Sequence, residues 1–207
     1  MSERKKLSRE VVVLTWLQRG IEAFFIAFKM GGPEARYRPF FDYMGFELLC
    51  KSYLLGCRAK DYENLSFQNG LAKVNAIAKK ELGHNLWDII CKILRQKPTG
   101  KIAIILSRDF DGFSGDDFIK TLEAAYVECR YPVPEPISKK FPIPGSKGLS
   151  RDPIRSTGLT KFSYTVAREI LSYIKDDFSI EVPQGFLETL IPKSEFLRFS
   201  NLFFIAQ

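Results

Sequence analysis

A single histidine, His84, is all the imidazole that these 207 residues hold. That scarcity excludes a multi-histidine metal cage, and no carboxylate stands at ligand spacing from it. The four cysteines, Cys50, Cys57, Cys91 and Cys129, include no C-x-x-C pair, which speaks against a zinc knuckle. All four sit in apolar, helix-like stretches, where a reduced thiol serves as a small hydrophobe. There is no glycine-rich phosphate loop and no nucleophile elbow. Asp109, Asp111, Asp116 and Asp117 do not complete a calcium loop, since the spacing fails and Phe113 stands where an oxygen ligand is needed. Neither a metal nor a cofactor is expected.

No long run of one charge occurs either. The net charge of +7 is scattered, so it favours acidic partners only weakly. Long charge-free apolar runs are also missing. Residues 11–30 are apolar after a basic start, but Gln18, Arg19 and Glu22 interrupt them and no small-residue cleavage site follows. The expectation is a cytoplasmic chain without a membrane segment. Hydrophobic residues make up 45%, enough to close a core.

What is present is helical periodicity. Leu14, Leu17, Ile21, Phe24 and Phe28 form one apolar face over about 8–29, with Ser8 as cap. A second helix from about Pro39 to beyond Gly56 carries one stripe of Phe41, Met44, Leu48 and Leu55. A second stripe holds Phe46, Cys50, Tyr53 and Cys57, so this helix should be the central one. A short basic helix is expected over 71–82. Asn85 caps the next, where Leu86, Ile89, Ile90, Ile93 and Leu94 recur at helical steps. Residues 101–106 read equally as strand or helix. Ser114 and Asp117 mark a further start. Six prolines between Pro132 and Pro153 leave an extended basic loop over 132–158. A last helix spans about 159–176, and an apolar, proline-broken tail over 178–207 follows.

On the central helix Tyr43, Glu47, Lys51 and Arg58 fall within about 80° of one another at ~100° per residue. Two readings stand side by side: a solvated edge with a surface ion pair, and a polar groove on the core helix. His84 stands where a helix begins and unpaired N–H groups favour anions. It reads either as a locally bonded cap residue or as a ligand contact or acid–base group.

The stretch Phe40-Phe41-Asp42-Tyr43-Met44-Gly45-Phe46-Glu47-Leu48-Leu49-Cys50-Lys51-Ser52-Tyr53-Leu54-Leu55 resembles the second helix of HEPN domains. Gly83-His84-Asn85-Leu86 is similar to their Gly-His-Asp-Leu element, and Tyr126 to Pro132 to their Tyr-x-x-x-Arg-Tyr-Pro helix end. The resemblance covers about residues 8–176. It implies an all-α, up-and-down bundle of four to five helices over 1–177, often dimeric, with the 132–158 loop and the C-terminal tail as additions. The tail would pack on the bundle or on a partner. Some members of the family are ribonucleases that use an Arg and a His separated by four to six residues on one helix. This sequence has no such pair: Arg168 is followed by Tyr173. The resemblance therefore implies a non-catalytic protein that binds a nucleotide or nucleic-acid phosphate, beside a separate nucleotidyltransferase. Tyr43, Glu47, Lys51, His84, Asn85 and Arg130 would line its site. Two alternatives remain: a degenerate ribonuclease using His84 or Tyr173, and a structural dimerisation module. The Phe-rich tail and the first helix add the expectation of a homodimer.

Overall fold

A computed structural model describes residues 6–30, 37–130, 157–182 and 199, with the side chains of 128–130 and 157 left out. Seven α-helices stand among the described residues: α1 Arg9–Lys29, α2 Arg38–Cys57, α3 Phe67–Ala76, α4 Leu86–Gln96, α5 Ile102–Ser107, α6 Gly115–Arg130 and α7 Thr157–Phe178. The protein is a predominantly all-α helical bundle. The helix count exceeds the expected four to five because α3 and α5 are short additions between longer elements. The expected 132–158 loop lies outside the described residues except for Thr157 and Gly158, which already belong to α7, and most of the tail lies outside them too.

The central helix is α2. Every residue from Leu49 to Gly56 is buried, and α1, α4, α6 and α7 all pack on it. Its second stripe (Phe46, Cys50, Tyr53) is buried, whereas Phe41, Met44 and Leu48 of the first are only half-buried. Pro39 suits the first turn, where its missing N–H is no loss. Close approach to α1 depends on glycine. A Cβ at Gly20 would lie 3.0 Å from the Leu49 side chain, and one at Gly45 would press into the Phe24 ring at 2.6 Å.

Helix α1 is long and apolar enough to span a membrane by length and composition. In the fold it lies along α2 and buries Val13, Leu17, Ile21 and Phe24. Ser8 caps it by accepting from the Val11 N–H. Of the tail, 178–182 and Phe199 are described: Phe178 ends α7, and Phe199 is fully buried in edge contacts with Phe25 and Phe28 of α1.

Three local readings are settled or revised. The ambiguous run over 101–106 is helical from Ile102, as α5, with Lys101 as its N-cap. The helix expected over 71–82 starts earlier, at Phe67, and ends in a π-helical segment, Ile77–Leu82. The aspartate-rich stretch is a small hairpin, β1 Asp109–Phe110 paired with β2 Phe113–Ser114. Its turn is Asp111-Gly112, both at positive φ, the pairing that two-residue hairpins favour. Asp117 then accepts from the Ser114 N–H and hydroxyl, completing the expected start of α6.

Candidate functional site

The site is assembled where α2, α4 and α6 meet. Gly83 ends the π-helical segment at φ +70 and ψ −156, a conformation essentially reserved for glycine. A Cβ there would meet nothing within 4 Å, so the constraint is in the backbone alone. This turn carries His84 across to α2. The Tyr43 hydroxyl donates to the His84 carbonyl, and the ring Nδ1 lies 2.9 Å from Glu47 Oε1. The same oxygen accepts from Lys51 Nζ at 2.6 Å.

Glu47 thus serves two partners of opposite exposure. Lys51 is 2% exposed and lies 6.0 Å over the Trp16 ring, whereas the His84 side chain is 55% exposed. With Lys51 closed on the carboxylate, its ammonium does not reach solvent, and a direct phosphate contact from it is not what this geometry offers. The edge-or-groove question resolves into an interior ion pair with one exposed limb, His84. A protonated imidazole would leave one positive charge of the trio uncompensated, at the surface.

The α4 N-terminus is less open than its sequence suggested. Asn85 accepts from the Asp88 N–H at 2.8 Å, and Glu123 of α6 reaches the Trp87 N–H at 3.1 Å. A carboxylate of the chain itself thereby takes the place an anion would occupy. Asn85 is a cap with its side chain engaged, and the outward-facing donors expected there are largely used.

Around His84 the rings lie nearly parallel. Tyr126 stacks on Tyr43 at 4.3 Å, on Phe40 at 5.9 Å and beside His84 at 6.4 Å. Trp87 of α4 and Val127 of α6 are exposed. Offset stacking of this kind fixes ring orientation and adds about 0.5–1.5 kcal/mol per pair.

Of the six residues expected at the site, the structure brings Tyr43, Glu47, Lys51, His84 and Asn85 together; the Arg130 side chain lies outside the described residues. Arg58, on the same strip of α2, turns instead to Asp61 and Glu81. Tyr173 belongs to another neighbourhood. Its ring packs on Tyr53 and its hydroxyl accepts from the Ile102 N–H at 3.4 Å, ten residues along α2 from Tyr43, roughly 15 Å at 1.5 Å per residue. Sequence reasoning gave no role to Tyr126 or Glu123. Their partners lie 36 or more residues away, and no local spacing encodes that. Among the described residues no group of His, Cys, Asp and Glu is arranged to hold a metal ion.

In comparison with known proteins, no family model matches the chain, and neither a curated protein nor a solved structure does.

Proposed function

We propose that the protein binds a nucleotide or nucleic-acid phosphate without turning it over, and that it does so at the surface around His84. The observation that carries this reading is the exposed imidazole whose Nδ1 is held by the buried Glu47 carboxylate at 2.9 Å. Such a contact orients the ring and leaves Nε2 to meet a ligand. The neighbouring aromatic rings suit a planar base, since stacking on them tolerates any base. The HEPN resemblance of 40–55 and 83–86 supports the same ligand class, and a separate nucleotidyltransferase is the partner it suggests. Turnover needs a second acid–base group or cation beside His84. The runner-up ribonuclease reading gains from the Glu47–His84 contact, but the neighbouring cation, Lys51, is buried on Glu47, and Tyr173 is too distant.

Calorimetric titration of the purified protein with nucleotides and a short RNA tests the proposal. Binding should weaken as salt rises and be lost in His84→Ala, with the RNA recovered intact. Absence of heat at millimolar nucleotide removes the reading, and RNA cleavage abolished by His84→Ala replaces it with the ribonuclease one.

A further inference from the structure

A second buried carboxylate on α2 has no part in the His84 site. Asp42 is 1% exposed, and neither of its oxygens has a hydrogen-bond partner. Its nearest cation is Arg38, one turn earlier, with Nε 3.7 Å from Oδ2. That guanidinium is committed elsewhere: its Nη2 donates to Thr160 Oγ1 of α7 at 2.8 Å. Helix α7 also presents the Tyr164 hydroxyl, whose own proton is held more tightly because of burial first and the charge of Asp42 next. From α1 the Phe24 ring, which bears no charge, packs on Tyr164 and against Gly45. Ser163, one turn on from Thr160, is buried without a hydrogen-bond partner as well.

A carboxylate buried without donors is costly, whereas the protonated acid is far less so. We propose that Asp42, Arg38 and Thr160 form a proton-controlled clasp between α2 and α7, closed when Asp42 carries a proton and loosened when it ionises. In the closed state the neutral acid makes no demand on Arg38, which bridges to Thr160. On ionisation the proton leaves to solvent. Arg38 is the cation beside the new carboxylate, so it closes on it and its Nη2 is drawn off Thr160. Burial pushes the Asp42 carboxyl up to about 7, with Arg38 opposing, which sets the change near neutral pH. Between about pH 4, where an unfolded aspartate titrates, and about 7, the folded chain keeps a proton that the unfolded chain has released. Stability from this group therefore falls as pH rises through that window and stays low above it.

Carbon-13 NMR of the aspartate carboxyls in the folded protein reads the titration directly. One resonance, absent in Asp42→Asn, should titrate near neutrality; a midpoint in the ordinary aspartate range overturns the proposal. Melting curves between pH 5 and 9 give a second reading, taken in a His84→Gln background so that no imidazole titrates. The melting temperature should fall by several degrees with rising pH when Asp42 is present, and stay level when it is Asn; parallel curves overturn the proposal. Thr160→Val separates a clasp from a merely buried acid. Without that acceptor Arg38 turns to Asp42 and the NMR midpoint drops, whereas an unchanged midpoint rules the clasp out. Should Asp42→Asn fail to fold, selective aspartate labelling and the Thr160→Val shift still decide.

Discussion

Glu47 and Asp42 lie five residues apart on α2, and both are buried, yet their surroundings differ in kind. Glu47 Oε1 accepts from Lys51 and His84, whereas Asp42 has Arg38 at 3.7 Å and no hydrogen bond. The difference shows that burial alone does not give a carboxylate its role. A paired one acts as a fixed anion that orients its neighbours, and an orphaned one is disposed to hold a proton. On one helix, the paired carboxylate faces the candidate ligand surface and the orphaned one faces a helix junction.

Removing the partner of the paired carboxylate should break this contrast most forcefully. Lys51→Ala strands Glu47 with only the exposed His84, and losing one member of a buried pair costs roughly 3–5 kcal/mol. At about 2–4 °C per kcal/mol for a chain of this size, the melting temperature should drop by roughly 6–20 °C. A drop of under one degree would mean that the pair is not holding the bundle. Asp42→Asn, in contrast, should cost far less at alkaline pH, because it removes the burial penalty of the carboxylate together with its contact to Arg38.

Two glycines sharpen the comparison with smaller effects. Gly45→Ala acts at the α1–α2 contact, with ordinary backbone and no room: overpacking against Phe24 should cost about 1–3 kcal/mol in chemical denaturation. Gly83→Ala is the reverse, with open space and a backbone that excludes a Cβ, also worth about 1–3 kcal/mol. They separate by location. Gly83→Ala should shift the His84 ring resonances in the NMR spectrum and loosen its contact with Glu47, whereas Gly45→Ala should leave them in place.

Much of the fold was legible because its determinants are local. Ser8 and Asn85 cap the helices their types announce, and the periodicity of Leu86, Ile89, Ile90 and Ile93 names the buried face of α4. The central place of α2 followed from its two apolar stripes. The π-helical segment was not legible, because no residue type distinguishes a six-residue widening from an α-turn. Neither was α5, whose Ile102 to Leu106 run is shorter than one period test can resolve. At the site, Glu47 with Lys51 could be read from i, i+4 spacing, and His84 from its place after Gly83. That Lys51 is sealed off, that Glu123 occupies the α4 N-terminus, and that Asp42 has no partner all depend on contacts across the chain. A polar residue inside a helix apolar on two sides was the available hint for Asp42.

Because His84 is the only histidine, its ring protons are unambiguous in a proton NMR spectrum and report on the proposed ligand surface without any label. Titrating nucleotide into the folded protein at low salt should move the His84 Hε1 and Hδ2 resonances progressively to saturation, with the movement suppressed when salt is added. Resonances that stay still up to millimolar nucleotide and RNA, in a protein whose melting curve shows it folded, would contradict the central claim that this imidazole is where the ligand binds.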